Sequence, residues 1–324
     1  MNEDNSNQAP EQQAQVSRRG ALGVVGAASA LTGAATSAQA APKPAQRFKD
    51  RVAVITGGAR GIGRAHAVAL AKEGAHVVAC DILQDIATLD YPLATQADMD
   101  ETEKRVRAAG GQFLGIKADV RDPAAANDVI AKAQARFGRV DFLLANAGIH
   151  SAAPLATMSD QMFDDLIRTN VYGVFNSARA AIGPMVKQGY GRIVVTSSQA
   201  GRMGYAEHAH YSASKWAVIG LAKSLAQEVA KQGVTVNCVC PTAVNTPLWS
   251  NPAAWKRALP GDPAPTLEKF EARQKNNPFT PQGIPWLEPE DVSKAALFLL
   301  SDDAAHITGS ALDVSAGGSA MHSA

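Results

Sequence analysis

The stretch Thr56-Gly57-Gly58-Ala59-Arg60-Gly61-Ile62-Gly63 decides the fold of this chain. It follows a short apolar run at residues 51–56 and opens an alanine-rich helical stretch. Gly57 allows a tight turn, Gly61 allows the backbone to approach a pyrophosphate, and Gly63 allows close packing of helix on strand. The start of a helix adds positive potential. This turn therefore predicts a phosphate-binding site between the first strand and the first helix.

Apolar runs and helical stretches alternate along the rest of the chain. Strands are predicted at residues 51–56, 75–80, 113–117, 140–145, 192–196, 234–239 and 311–314. Further helices are predicted at about 97–109, 123–137, 159–187, 209–231 and 289–301. Strands that alternate with long helices are typical of βαβ units and a parallel sheet. We expect one doubly wound α/β domain over residues 47–324, with a seven-stranded parallel sheet flanked by helices.

Composition excludes several classes of protein. The 324 residues are 46% hydrophobic and 19% charged, with a formal net charge of +1, so neither a disordered chain nor a nucleic-acid binder is expected. No run of strongly apolar residues is long enough for a stable membrane span. The three cysteines, Cys80, Cys238 and Cys240, form no C-x-x-C motif, so no metal site is predicted.

The first 46 residues have the composition of a signal peptide and linker. Arg18-Arg19 precedes a weakly apolar stretch at 21–35, and Ala38-Gln39-Ala40 follows as a cleavage site. This order resembles a twin-arginine signal, which predicts cleavage after Ala40 and export to the periplasm of an already folded protein. The alternative is a disordered alanine-rich tail on a cytoplasmic protein.

Asp81 closes the second predicted strand, 18 residues after Gly63. A carboxylate at this position accepts hydrogen bonds from a ribose 2′-hydroxyl and repels a 2′-phosphate, which favours NAD over NADP. Arg60 has the opposite effect, because a cation in the turn attracts a 2′-phosphate. Asp81 decides the prediction because it lies at the ribose edge. The alternative for Asp81 alone is a solvated acid at a strand end.

Tyr211, Lys215 and Ser198 form a candidate catalytic group. Tyr211 and Lys215 are four residues apart at a predicted helix start, which places them on one face. A nearby ammonium and an oxidised nicotinamide would lower the phenol pKa from about 10 toward neutrality, which suits a general acid or base. Ser198 follows a strand and its hydroxyl can hold a substrate oxygen. Asn170, a poor helix former inside a predicted helix, is the fourth candidate.

Residues 49–318 resemble the classical short-chain dehydrogenase/reductases, which have a Rossmann fold. The motifs that carry the resemblance are the glycine turn, Asp119-Val120, Asn146-Ala147-Gly148, Asn170, Ser198, Tyr211, Lys215, and Pro241-Thr242 running to Thr246. Thr242 departs from the pattern, which usually has glycine there. By resemblance, Asn170, Ser198, Tyr211 and Lys215 form the catalytic tetrad, with a water held by Asn170 that links Lys215 to solvent.

The resemblance also implies the nucleotide contacts. Asp119 would contact adenine, Asn146 to Gly148 would line the nucleotide, and Thr246 would bind the carboxamide. The full implied set is Gly57, Arg60, Gly61, Ile62, Gly63, Asp81, Ile82, Asp119, Val120, Asn146, Ala147, Gly148, Tyr211, Lys215, Pro241, Val244 and Thr246.

An insert at about residues 82–96 narrows the resemblance. Its Tyr91-Pro92-Leu93-Ala94-Thr95 is similar to carveol dehydrogenases and mycofactocin-coupled oxidoreductases, as are Asp119-Val120-Arg121-Asp122 and the segment 286–292. In that subfamily the insert covers the nucleotide. This implies that NAD is tightly bound and reoxidised in place by a redox partner. The alternative is a surface loop with no such role.

The long segment at about residues 246–285 is predicted to be a substrate lid. Its aromatic residues predict an apolar pocket for a secondary alcohol or ketone, such as a terpenoid; they are Trp249, Trp255, Phe270, Phe279 and the adjoining Trp286. The alternative is that they pack the lid or a subunit interface. His208 and His210 flank Tyr211 and are expected to be partly solvated.

The sequence thus predicts an NAD-dependent oxidoreductase that interconverts a hydrophobic secondary alcohol and its ketone by hydride transfer. One rival is an NADP-dependent cytoplasmic carbonyl reductase, and another is a non-catalytic NAD(H)-binding sensor. By resemblance, the chain forms a homodimer or homotetramer through the helices at about 159–187 and 209–231.

Overall fold

Seven parallel strands form a single sheet, as the sequence predicts, and the structure gives their order as β3-β2-β1-β4-β5-β6-β7. The structure is a computed structural model that describes residues 46–277 and 280–321. The strands are β1 Val52–Thr56, β2 His76–Asp81, β3 Phe113–Lys117, β4 Phe142–Ala145, β5 Gly191–Thr196, β6 Val234–Pro241 and β7 Ala311–Val314. Most of these strands are buried along their whole length, which explains why they are continuous apolar runs without alternation.

Helices cover both faces of the sheet. They are α1 Gly61–Lys72, α2 Gln96–Ala108, α3 Pro123–Phe137, α4 Asp160–Ile167, α5 Gly173–Gln188, α6 Ala209–Val229, α7 Pro252–Ala258, α8 Leu267–Lys275 and α9 Pro289–Leu300. One apolar core joins the sheet to α3, α5 and α6. A second joins the opposite face to α1, α2 and α9.

Two stretches differ from the prediction. The single helix expected at 159–187 is α4 and α5 joined by a π-helical segment, Arg168–Tyr172. The long segment before α9 contains two helices, α7 and α8, that were not predicted. Their signals are present in the sequence, because Asn251 caps α7 just before a proline and Thr266 caps α8. The predicted signal peptide and Phe279 lie outside the described residues.

The strand order reverses between β1 and β4, so the loops that follow these two strands diverge and leave a crevice at their carboxyl ends. Thr56, at the end of β1, ties the two loops together, because its Oγ1 accepts hydrogen bonds from the backbone N–H groups of Asn146 and Ala147, each at 3.0 Å. In the described part of the chain, none of the helices combines the length and the apolar character that crossing a bilayer requires.

Candidate active site

The glycine turn after β1 is built as the sequence predicts. Gly57 has a φ of +64°, and a Cβ atom there would lie 2.8 Å from Ala147 Cα. A Cβ atom on Gly63 would lie only 2.0 Å from the carbonyl oxygen of Gly57. Helix α1 begins at Gly61 with no side chain capping its first N–H groups. Its amino terminus is therefore available to an anionic group in the crevice.

Asp81 ends β2 beside this turn, and its Oδ2 accepts a hydrogen bond from Ala59 N at 3.1 Å. Burial raises the pKa of the Asp81 carboxyl, while hydrogen bonds from backbone N–H groups and the charge of Arg60 oppose the rise. The Arg60 guanidinium donates to the carbonyl oxygen of Pro92 in the insert. Arg60 therefore contacts the insert, while Asp81 lies where the sequence predicts the ribose.

Asp119 follows β3 and is held by Arg121, whose Nε lies 2.9 Å from Asp119 Oδ2. Arg121 also pairs with Asp165 of α4, at 3.2 Å. Asp165 in turn accepts a hydrogen bond of 2.9 Å from the Thr88 hydroxyl in the insert. The predicted adenine end of the crevice is thus connected to the insert through one polar network.

Tyr211 and Ser198 meet at the end of the crevice reached by β5. Tyr211 lies in the first turn of α6, and its phenol is hydrogen bonded to the Ser198 side chain. The Ser198 hydroxyl also accepts a hydrogen bond from Ala200 N at 3.1 Å. Lys215 lies one helical turn further on, with its Nζ 5.7 Å from the centre of the Tyr211 ring. The structure brings these three predicted residues together.

The expected lowering of the Tyr211 pKa depends on an oxidised nicotinamide as well as on the Lys215 ammonium. Burial raises the pKa of the Tyr211 phenol, and the hydrogen bond with Ser198 opposes that rise. Burial also lowers the pKa of Lys215 to about 8, while its Nζ donates to the carbonyl oxygen of Thr196 at 2.9 Å. Without a bound nucleotide the pKa of the phenol is therefore not lowered. A lower value needs positive charge beyond what the described residues provide.

Asn170 lies in the π-helical segment and is buried. Its Oδ1 accepts from Ile149 N at 2.8 Å, and its Nδ2 donates to Ile149 O at 3.0 Å and to Ser214 Oγ at 3.1 Å. A Cβ atom on Gly148 would lie 3.3 Å from Asn170 Oδ1 and 3.5 Å from Lys215 Nζ. Asn170 therefore fixes the loop after β4 directly behind Lys215.

One cavity of about 810 Å³ contains nearly all of the predicted site residues. The predicted residues that line it are Gly57, Arg60, Gly61, Ile62, Asp81, Ile82, Asp119, Val120, Asn146, Ala147, Gly148, Ser198, Tyr211, Lys215, Pro241, Val244 and Thr246. Gly63 and Asn170 do not line it, because Gly63 lies beneath the turn and Asn170 lies behind Gly148. In residues 46–277 and 280–321, no group of three or more candidate metal ligands is present.

The sequence analysis missed His150, which is buried and lines the cavity. The centre of its ring lies 4.9 Å from that of Tyr211 and 4.9 Å from that of His208. It follows Asn146-Ala147-Gly148-Ile149, which places it just after β4 but assigns it no role. His208 lines the cavity, but the expected solvation of His210 is wrong: its ring is buried, with Nε2 2.7 Å from Ser151 Oγ.

The predicted lid supplies one aromatic wall of the cavity. Trp249 lines the cavity. Phe270 packs edge-on against Trp249 with their ring centres 6.2 Å apart, and Trp286 packs against Phe270 with their ring centres 5.8 Å apart. Phe270 and Trp286 are buried. Both expected roles are therefore present, since Trp249 faces the cavity while the other two pack the lid.

The insert covers the cavity from the β2 side. Ile82, Ile86, Tyr91, Leu93 and Ala94 line the cavity. The Tyr91 hydroxyl accepts a hydrogen bond from His150 N at 3.0 Å. Asp90 forms an ion pair with Arg257 of α7, which joins the insert to the lid.

Comparison with known proteins agrees with this geometry. The family model described as short chain dehydrogenase matches residues 51–257. The chain is 43% identical to (-)-trans-carveol dehydrogenase of Rhodococcus erythropolis over 274 residues, which are 84% of this chain and 98% of the relative. It resembles the crystal structure of carveol dehydrogenase from Mycobacterium avium in complex with NAD, with a TM-score of 0.81 and 35% identity, covering 84% of this chain and 98% of that one.

A second solved relative is the NAD-bound short chain dehydrogenase from Mycobacterium paratuberculosis, with a TM-score of 0.75 and 34% identity over 84% of this chain and 98% of that one. The family match, the parallel sheet and the residues that line the cavity all agree. The chain belongs to the short-chain dehydrogenase family.

Proposed function

We propose that this oxidoreductase interconverts a hydrophobic secondary alcohol, cyclic or terpenoid-like, and its ketone, with NAD as the cofactor. The observation that carries the proposal is the hydrogen-bonded pair Tyr211 and Ser198, which lines the same cavity as the glycine turn. The apolar insert residues and Trp249 supply hydrophobic walls. The carveol dehydrogenase among the relatives supports a cyclic terpenoid-like alcohol.

The residues present fit a dinucleotide. The uncapped start of α1 suits a pyrophosphate, and Asp81 suits a ribose hydroxyl. The carboxylate of Asp81 disfavours a 2′-phosphate, and the Arg60 guanidinium is engaged with the insert, so NAD is preferred over NADP. Two solved relatives contain NAD. When bound, NAD supplies the site that accepts or returns the hydride.

The chain's own groups orient the alcohol and move its proton. The Ser198 hydroxyl holds the alcohol oxygen, and the Tyr211 phenolate takes the proton from that oxygen; in ketone reduction the phenol returns it. Lys215 stabilises the phenolate by its charge. Asn170 positions this group by holding the backbone of Ile149 on both sides. Thr246, which lies against Gly61, would bind the carboxamide.

The insert is proposed to hold the nucleotide tightly, so that a redox partner reoxidises it in place as in mycofactocin-coupled enzymes. Four contacts support this: Arg60 with Pro92, Thr88 with Asp165, Tyr91 with His150, and Asp90 with Arg257. Purification of native protein, followed by mass analysis of the nucleotide that accompanies it, tests this proposal. Protein that loses all nucleotide during brief dialysis would contradict it.

Export and assembly are further parts of the proposal. The N-terminal 40 residues are proposed to be a cleaved twin-arginine signal, and N-terminal sequencing of native protein tests whether the mature chain starts at Ala41. Large apolar side chains are exposed on α4, the π segment, α5 and α6, which supports a homodimer or homotetramer; they include Phe163, Tyr172, Phe175 and Trp216.

Substitution of Tyr211 by Phe tests the catalytic assignment. The variant removes one hydroxyl and keeps the ring, so we expect it to fold and bind NAD. We expect turnover of a cyclic secondary alcohol to fall by about two to four orders of magnitude. Tyr172→Phe is the matched control, because it removes the same hydroxyl from a tyrosine that does not line the cavity. Equal activity of Tyr211→Phe and the control would refute the assignment.

A further inference from the structure

The wall of the cavity next to Tyr211 is not purely apolar. His150 is only 3% exposed and lines the cavity, and its Nδ1 has no hydrogen-bond partner within residues 46–277 and 280–321. Its backbone N–H is already bonded to the Tyr91 hydroxyl, so the loop is anchored without the imidazole. The ring is therefore a polar group held at the cavity with unused hydrogen-bonding capacity.

The surroundings of His150 keep its imidazole neutral. Burial lowers the pKa of the ring well below its usual value, and the charges of Arg257 and Lys215 and the neighbouring His208 and His210 act in the same direction. A neutral imidazole offers one donor and one acceptor. It can therefore pair with a hydroxyl group in either sense, or donate to a carbonyl oxygen.

Three more side chains of the cavity wall have buried N–H groups. Gln199 Nε2, Trp249 Nε1 and Gln274 Nε2 lack hydrogen-bond partners in the part of the chain that the structure describes, and all three residues line the cavity. The centre of the Trp249 ring is 5.7 Å from that of His150. A buried donor left unpaired loses the hydrogen bonds that it makes with water in the unfolded chain. The side chains around the cavity thus hold several donors that the described residues leave unsatisfied.

We infer that the substrate carries a second oxygen function, a hydroxyl or carbonyl apart from the reacting carbon, and that His150 binds this oxygen and so determines specificity. Ser198 and Tyr211 hold the reacting oxygen, while His150 lies beside the Tyr211 ring and reaches a different substrate atom. The substrate class is then an oxygenated cyclic alcohol or ketone rather than a plain hydrocarbon alcohol. This inference rests on the proposed dehydrogenase activity.

The experiment compares cyclohexanones that bear a methyl or a hydroxyl group at each ring position. The two groups are similar in size, so each pair isolates the hydrogen bond. At the ring position whose substituent lies nearest His150, we expect the wild-type kcat/KM to be about tenfold higher for the hydroxylated ketone than for its methyl analogue. The reason is that a site that hydrogen-bonds a polar group discriminates against an analogue that lacks it.

Variants at His150 assign the effect to that residue. His150→Phe keeps an aromatic ring without nitrogen, and we expect the ratio of kcat/KM for the hydroxylated ketone to kcat/KM for its methyl analogue to fall from about ten to about one. His150→Gln restores hydrogen bonding and should recover part of the preference. His208→Phe removes the neighbouring imidazole, and we expect it to alter both members of a pair equally.

A binding measurement distinguishes failure of the inference about His150 from failure of the proposed dehydrogenase activity. Calorimetry with NADH-loaded Tyr211→Phe protein gives the affinity for each ketone without turnover. If wild type reduces methylated ketones well and neither kcat/KM nor affinity favours any hydroxylated partner, the inference is overturned and the proposed function stands. If no ketone is reduced, the proposed function fails, and the calorimetric comparison alone decides whether His150 binds a second oxygen.

Discussion

His66 makes the stability of the fold sensitive to acid. It lies in α1, the helix whose first turn is predicted to bind the pyrophosphate, and it is fully buried. Its Nδ1 is 2.9 Å from the Ser293 hydroxyl of α9, and its Nε2 has no partner among the described residues. Burial lowers the pKa of this imidazole from 6.5 to about 3.

The lowered pKa of His66 determines how the free energy of unfolding changes with pH. The folded protein disfavours the protonated ring, so the contribution of His66 to stability is fully present above about pH 6.5 and is lost as the pH falls toward 3. A shift of one pKa unit is worth about 1.4 kcal/mol, so lowering the pH from 7 to 5 removes about 2 kcal/mol and the complete loss is about 4–5 kcal/mol.

Urea unfolding followed by tryptophan fluorescence at a series of pH values measures this contribution. His66→Gln removes the titrating group, and we expect its free energy of unfolding to fall by about 2 kcal/mol less than that of wild type between pH 7 and 5. His306→Gln is the control, because His306 is exposed and water solvates its imidazole in both states. If the wild type and His66→Gln lose stability in parallel, the reasoning is wrong.

Three more predictions concern the nucleotide site. Gly63→Ala places a Cβ atom 2.0 Å from Gly57 O and should cost about 2 kcal/mol or more and abolish NAD binding. Gly220→Ala in α6, where a Cβ atom meets nothing within 4 Å, should instead stabilise the fold by about 0.5–1 kcal/mol; thermal unfolding and NAD titration measure both variants. Arg257→Gln breaks the ion pair with Asp90 and should speed NADH release about twofold to fivefold, measured by stopped-flow fluorescence. The matched control is Arg107→Gln, which breaks an ion pair within α2. An unchanged release rate would show that the Asp90–Arg257 pair does not hold the insert closed. Asp81→Asn removes the charge at the ribose position and should reduce the preference for NAD over NADP by at least about tenfold in kcat/KM; retained preference would place the discrimination elsewhere.

The sheet could be predicted because its signals are local. Each strand is a short segment rich in apolar residues, and the long helices alternate with these segments. The two lid helices were missed because α7 and α8 are short, although Asn251 and Thr266 cap them. The π-helical segment was missed because Asn170 is held by long-range hydrogen bonds to Ile149 and Ser214.

The site was predicted where residue type and spacing carry the chemistry. The spacing of Gly57 and Gly63 and the interval from Tyr211 to Lys215 identify these residues directly. His150 could not be assigned from spacing, because its importance comes from rings and the Tyr91 hydroxyl that are distant in sequence. The lowered pKa expected for Tyr211 depends on a bound nicotinamide, whereas the burial that raises this pKa in the chain alone arises from the tertiary fold.

The sequence by itself determined the seven-stranded parallel sheet, the glycine turn and the grouping of Tyr211, Lys215 and Ser198, since these depend on hydrophobic periodicity and short intervals along the chain. Only the tertiary structure decided that the insert is joined to the lid by Asp90 and Arg257, and that a neutral His150 lines the cavity beside Tyr211. These features depend on contacts between segments far apart in sequence. The Asp90–Arg257 ion pair and the burial of His150 exist only once the chain has folded and brought these segments together.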